Sequence, residues 1–258
     1  MRALRLVISL LCLVLTTHIP ANAETLRITN GEWPPFTSRR LHHGGPLSQI
    51  VTEAFERVGI TVEYGYFPWK RAYEYARSGV WHGSVAWDKV PEHQRYFVMS
   101  DPIVHVDKVL FYRTSAPIDW RKLEDLAHLR LGSTAGYSYG EAWDTAVRNG
   151  MLRVEIVTLD EQNFRKLLKN HLDAVAMDLD VGLYLLRTAF SQLQAESITY
   201  HPRRLSRAQI CLALSRKNPE SPALIERFHH GLADLRAQGR YDEHLREYHL
   251  SNQPGTRP

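Results

Sequence analysis

An α/β fold with mainly parallel sheets is what this chain's sequence predicts, on three observations. Strand-like and helix-like patterns alternate along the chain instead of falling into separate blocks. Several helical stretches stop at a glycine, namely Gly59, Gly79, Gly150 and Gly239, the residue that enters a left-handed turn most easily. The length leaves room for two ordinary lobes with their own cores, without an internal repeat of about 20–50 residues or a low-complexity linker.

The N-terminus reads as a secretion signal. Arg2 and Arg5 form a basic head, Leu6 to Leu15 an apolar stretch, and Ala21-Asn22-Ala23 a small-residue cleavage site. The apolar stretch falls well short of the about 20 residues that span a bilayer, so direct membrane insertion is not expected. Leu11 before Cys12 is bulkier than a lipoprotein-processing site requires, which argues against lipidation. Cleavage after Ala23 makes Glu24 the expected mature N-terminus and the periplasm the expected location.

The elements then follow in order. Leu26 to Thr29 is strand-like. Leu47, Ile50, Val51, Ala54, Phe55 and Val58 recur at helical spacing. Thr61 to Tyr66 reads as a strand, Trp69 to Ser78 as a helix, and Gly83 to Trp87 as a third strand. A second set begins after Pro117, with strands over Leu129 to Gly132, Val154 to Leu159 and Leu172 to Met177. Helices over Tyr139 to Asn149 and Glu161 to Lys169 lie between these strands. Ser221-Pro222 has helix-start chemistry and opens an apolar-striped helix that runs to Gly239. Tyr241 to Tyr248 is a last short helix, and Ser251 to Pro258 a frayed tail.

Charge and cysteine content exclude several classes. Without residues 1–23 the chain keeps 30 basic against 28 acidic side chains, with no long basic run, which argues against a nucleic-acid partner. The remaining cysteine, Cys211, lies in the apolar run Ile210 to Leu214, reads as a buried thiol, and has no disulfide partner. Twelve histidines remain, including His42-His43 and His229-His230. No HExxH or Cys/His cluster accompanies them, so no metal and no cofactor are expected.

Two phrases carry a resemblance along nearly the whole mature chain. Gly31-Glu32-Trp33-Pro34-Pro35-Phe36 follows the first strand, and Pro91-Glu92-His93-Gln94-Arg95-Tyr96-Phe97-Val98-Met99-Ser100-Asp101-Pro102 precedes the apolar run Val109 to Tyr112. Together they resemble the extracellular solute-binding proteins of family 3, receptors that feed polar amino acids to bacterial importers. The resemblance implies a two-lobed periplasmic-binding-protein (Venus flytrap, type II) fold with two hinge crossings, at Asp107 to Arg113 and about Leu205 to Leu214. Residues 24–108 with 213–258 would form one discontinuous lobe, and 109–212 the inserted one. It implies a binding protein, not an enzyme, that captures a small polar solute, an amino acid or a related amine-bearing compound, in an interlobe cleft for the membrane permease of an ABC importer. Two other readings stand beside it: a secreted enzyme on the same scaffold, like the cyclohexadienyl dehydratases, and a free sensory module for a receptor.

A solute held between two lobes needs apolar walls, an anion-receiving end and an acidic end for an ammonium. Trp33, with Phe36 beside it, and Trp69 fall where the family stacks aromatics on its ligand; lobe core is the other reading for the two tryptophans. Trp87, in the segment Val85 to His93, joins the candidate contacts. In that segment the family's Thr-Pro-Glu-Arg, whose arginine clamps an α-carboxylate, becomes Val90-Pro91-Glu92-His93. Lys89 or Arg95 could compensate, the solute could lack a carboxylate, or His93 could be a solvated helix residue. Asp88 adds a negative charge that suits an amine. Gly136, Tyr137 and Ser138 lie in a glycine-bearing turn that opens a helix, a place for an anion or an ordinary turn. Asp178 matches the family's ammonium-gripping acid; it could instead cap the helix that begins near Asp180, although Asp180 is better placed for that.

Overall fold

The computed structural model describes residues 24–252. The expected signal segment and its cleavage site lie outside the described residues. So does the expected tail beyond Asn252, whereas Ser251 and Asn252 continue the last helix.

Among the described residues ten strands form one curled sheet: β1 (Glu24–Asn30), β2 (Ile60–Tyr66), β3 (Gly83–Asp88), β4 (Phe97–Met99), β5 (Val104–Arg113), β6 (Leu131–Thr134), β7 (Val154–Val157), β8 (Ala174–Asp178), β9 (Ile198–Tyr200) and β10 (Ser206–Ser215). Their order is β2-β1-β3-β10-β5-β8-β6-β7, with β4 attached to β10 and β9 to β5. The β1–β2, β1–β3, β6–β7 and β6–β8 pairs are parallel. Each pairing that involves β5 or β10 is antiparallel, so the sheet is mixed and not mainly parallel. The cause is topological. β5 carries the chain out of the first half of the sheet and β10 brings it back, so the two must run against one another and against the strands they flank. These strands, ten residues each, coincide with the two crossings expected from the sequence.

The helices are α1 (Pro46–Glu56), α2 (Trp69–Arg77), α3 (Pro91–Gln94), α4 (Glu141–Arg148), α5 (Asp160–Leu168), α6 (Leu179–Ala189), α7 (Gln192–Glu196), α8 (Ser221–Ala237) and α9 (Arg240–Asn252). The apolar stripe of α1 buries Leu47, Ile50, Val51, Ala54 and Phe55, each large aliphatic or aromatic side chain contributing about 1.5–3 kcal/mol by its burial. The helix stops at Gly59 with φ +75°. α8 crosses α1 at Gly231, where a Cβ would stand 1.8 Å from the Ala54 carbonyl oxygen, so only glycine permits this approach. Two expected elements are displaced. The strand expected at 129–132 lies at 131–134 and the helix expected at 139–149 spans 141–148. Asp144 reaches back to the Ser138 hydroxyl and the Tyr139 amide and holds residues 138–140 out of the helix. Ser221 is the first residue of α8, and its hydroxyl donates to the Ser215 carbonyl at 2.6 Å instead of capping.

α9 is longer than the sequence suggests and is anchored on α1 through Glu53. That carboxylate receives Arg57 and Arg240, and His244 Nε2 stands 2.6 Å from it. Burial pushes the Glu53 pKa up, but hydrogen bonds and charge from Arg240 and His244 outweigh this and bring it to about 2. A depressed carboxylate adds stability above its unfolded pKa and loses it as pH falls towards the folded value. Glu53→Gln is therefore expected to destabilise the protein by about 1–2 kcal/mol at pH 7, with the gap closing between about pH 4.5 and about pH 2. Urea unfolding of both proteins at pH 7 and pH 3 checks this.

Candidate functional site

Where the two halves of the sheet meet, a cavity of about 620 Å³ opens between the turn after β1, the start of α2, the end of β3, the turn after β6 and the end of β8. Its position follows from the topology, because loops at the C-terminal ends of parallel strands converge there. Nine of the ten residues singled out from the sequence line it; Phe36 does not.

The aromatic wall is built in layers. The Trp33 backbone N–H donates to the Thr37 carbonyl at 2.8 Å and Thr37 N–H returns to the Trp33 carbonyl at 3.1 Å, closing a tight turn. This curl sends Phe36 inward as a core residue, its ring centroid 4.4 Å from that of Trp33 and 3 % exposed. Phe36 therefore supports the wall from behind and does not line the cavity. Trp33 serves both readings, being a core member that also faces the cavity. Trp69 is fixed by its indole N–H to the Glu32 carbonyl at 3.2 Å and lies against Gly31, where a Cβ would stand 2.4 Å from the ring. Trp87 meets Trp69 edge to face at 5.6 Å and Tyr73 at 5.1 Å. Ala86, just before it, has φ +70° beside a register shift between Cys211 and Leu212. The bulge breaks strict alternation, and both Trp87 and Asp88 face the cavity.

The polar floor centres on Lys108, a residue with no role in the expectations drawn from the sequence. It is 6 % exposed and pairs in register with Asp178 across β5 and β8. Its ammonium donates to Asp88 Oδ2 at 3.2 Å and to the Ser138 carbonyl at 2.5 Å, joining β3 to the turn after β6. The other Asp88 oxygen, Oδ1, is buried with no hydrogen-bond partner. Lys89 and Arg95, the expected substitutes for an arginine clamp, do not line the cavity. Lys89 turns to the Ser100 carbonyl at 3.2 Å, and Arg95 is exposed. His93 does line it, but its Nδ1 stands 2.7 Å from the Asp88 carbonyl oxygen and its ring meets Trp87 at 5.1 Å. One nitrogen of His93 is thus committed to holding the β3–α3 loop.

Asp178 occupies the N-cap position of α6, not Asp180, yet its side chain makes no cap hydrogen bond and turns into the cavity. Burial raises its pKa to about 6; Lys108 lowers it, Asp160 and Asp88 raise it further, and the Trp33 indole lowers it slightly. The Trp33 indole N–H lies close to this carboxyl without reaching hydrogen-bond geometry, and no other partner satisfies it. Asp160 is also raised by burial, against hydrogen bonds from Thr134 and Tyr137. Gly136 has φ +84°, which makes a turn open to glycine. Tyr137 packs between the two halves of the core. Ser138 lines the cavity, but its hydroxyl donates to Asp144 at 2.5 Å and accepts Gly140 N–H at 3.2 Å. Among the described residues no group of three or more His, Cys, Asp or Glu could hold a metal ion.

The family model for bacterial extracellular solute-binding proteins, family 3, matches residues 27–251. No curated protein sequence is matched. Among solved structures, a histidine kinase sensor domain with similarity to periplasmic binding proteins is 19 % identical at a TM-score of 0.72, covering 88 % of this chain and 96 % of that one. An ancestral arginine-binding protein bound to arginine is 19 % identical at a TM-score of 0.70, covering 87 % and 97 %. An ancestral amino-acid-binding protein, a precursor of cyclohexadienyl dehydratase, is 15 % identical at a TM-score of 0.67, covering 87 % and 94 %. Likeness at these identities shows the two-lobed fold.

Proposed function

The chain belongs to the bacterial extracellular solute-binding proteins, family 3, and from that premise we propose that it captures a small amine-bearing solute in the periplasm and hands it to the permease of an ABC importer. The observation that carries this reading is the pairing of an aromatic wall (Trp33, Trp69, Trp87) with two carboxylates, Asp88 and Asp178, in one cavity at the junction of the two halves. Aromatic faces and carboxylates together attract a cation by quadrupole and by charge. Residues 24–108 with 213–258 act as one lobe and 109–212 as the other, and the β5 and β10 crossings act as the hinge on which they close. Delivery to a sensor in place of an importer uses the same closed form, and likeness to a kinase sensor domain supports that variant.

A thermal-shift screen of residues 24–258 against amino acids, amines, polyamines and organic acids tests the proposal. A solute that binds only the folded state adds about 2.7 kcal/mol at a hundredfold excess over Kd. Stabilisation by an amine or amino acid, lost in Trp69→Ala, is the expected result; stabilisation by organic acids alone overturns it. Asp178, held near pH 6 in an aromatic cleft, also favours a second reading, a dehydratase with this carboxyl as proton donor. Formation of product from prephenate or arogenate by the wild type, abolished in Asp178→Asn, is what that reading requires.

A further inference from the structure

We propose that the cleft selects an organic cation that carries no carboxylate. The inference rests on the amine-binding reading above and narrows it. The charges facing the inside of the cavity are Asp88, Asp178 and Lys108, two negative and one positive. Lys70 and Glu92, at the exposed rim, cancel each other. Asp144 is turned to the start of α4, where it accepts the Ser138 hydroxyl and the Tyr139 amide. Asp160 lies just behind and adds to the negative field at Asp178. The interior is therefore one positive charge short of balance, and a cation supplies it.

A carboxylate would find little to receive it. No arginine lines the cavity among the described residues. The buried ammonium of Lys108 is already held by Asp88 and the Ser138 carbonyl. The Ser138 hydroxyl gives its proton to Asp144, and His93 Nδ1 is taken by the Asp88 carbonyl. What remains is the third N–H of Lys108, the Nε2 of His93, the Trp33 indole N–H, buried and unpartnered, and the backbone amides of residues 136–138. These suit a hydroxyl or carbonyl oxygen on a neutral body, but the charge of Lys108 is already balanced by Asp88, which leaves no surplus positive charge for an anion, and a desolvated charge without a partner is unfavourable by several kcal/mol. The acceptor side is the reverse. Asp88 Oδ1 is a buried carboxylate oxygen with no donor, and Asp178 faces the cavity without a cap to serve. An ammonium or guanidinium group between them, against the Trp33 and Trp69 faces, completes both.

Matched pairs that differ by one carboxylate test this by titration calorimetry on residues 24–258 at pH 7.5: ethanolamine and serine, tyramine and tyrosine, tetramethylammonium and glycine betaine, agmatine and arginine. In the pair that binds most tightly, the carboxylate-free member is expected to bind at least about tenfold more tightly, the factor for one charge-assisted contact. Equal or tighter binding of the carboxylated member overturns this inference and leaves the amine-binding reading intact. Binding of none of the eight overturns both. Asp88→Asn supplies a second arm, because it removes one negative charge and releases Lys108. It is expected to weaken the cation and strengthen its carboxylated partner, bringing the two within a few-fold of each other; an unchanged ratio refutes the charge argument.

Discussion

Asp178→Asn will make the protein more stable and a poorer binder. The two effects have one cause. Burial at the end of β8 and the nearby Asp160 and Asp88 raise the Asp178 pKa from 3.8 to about 6, despite the opposing pull of Lys108. An acid whose folded pKa lies above its unfolded value favours folding while protonated and opposes it once ionised. The penalty is absent below about pH 4, grows through pH 6 and is complete above it. Each tenfold change in proton affinity between the folded and unfolded chain is worth about 1.4 kcal/mol. Asparagine is therefore expected to gain on the order of 2–3 kcal/mol of stability at pH 7.5 and nothing at pH 4. Chemical denaturation at the two pH values measures this. Affinity for a cationic solute moves the other way, falling about 30-fold or more, because truncating one side of a buried charged contact removes about 2 kcal/mol or more.

The pH profile of binding gives the same residue a separate signature. Only the ionised carboxylate attracts a cation, so wild-type affinity is expected to fall about tenfold from pH 7.5 to pH 5 as Asp178 takes up its proton. Asp178→Asn is expected to flatten that profile. The groups facing Asp178 are Lys108 across the strand pair, Asp88 and Trp33 from the opposite half, and Asp160 and Tyr137 from its own half. His93, on the α3 side, lines the same cavity, and His93→Gln is expected to keep the pH profile that Asp178 gives. Tighter binding at pH 5 would be the behaviour of an anion, and it would remove Asp178 from the role given to it here.

Local chemistry was legible in the sequence, and long-range pairing was not. Helix stripes, glycine stops and Trp33, Trp69 and Asp178 at element ends could be read off because each depends on neighbours a few residues away. Phe36 was placed beside Trp33 in sequence, but the Trp33–Thr37 turn puts the two rings at different depths. Ser138 reads as a free hydroxyl until α4 brings Asp144 to it. The bulge at Ala86 arises from pairing with β10 more than a hundred positions away in the chain, and nothing near Ala86 announces it. Two omissions did leave a trace. Lys108 stands in the same phase as Val104, Val106 and Leu110 on a strand whose inward positions are otherwise apolar. Tyr73 follows Trp69 by four, on the same helix face. A charged residue on an apolar phase was the clearest pointer available to the centre of this site.

Lys108 is also where the second large effect is expected. Removing one partner of a buried ionic network leaves the others without compensation, which destabilises by about 3–5 kcal/mol. Lys108→Met strands Asp88, whose second oxygen already lacks a partner, and takes from Asp178 the positive charge that opposes its raised pKa. The loss is expected to be largest at pH 7.5 and smaller at pH 5, where Asp178 can escape by protonation. Because the deficit comes from uncompensated carboxylates and not from the missing methylenes, Lys108→Met combined with Asp88→Asn should recover most of the stability, a non-additivity of about 2 kcal/mol or more in a double-mutant cycle. Equal destabilisation in the single and double variants would assign Lys108 to packing alone. The single variant, assayed at a temperature where it stays folded, should bind an organic cation more tightly than the wild type. The solute then meets an Asp88 carboxylate whose charge the Lys108 ammonium no longer balances, so the lysine that stabilises the fold is expected to weaken cation binding at that carboxylate.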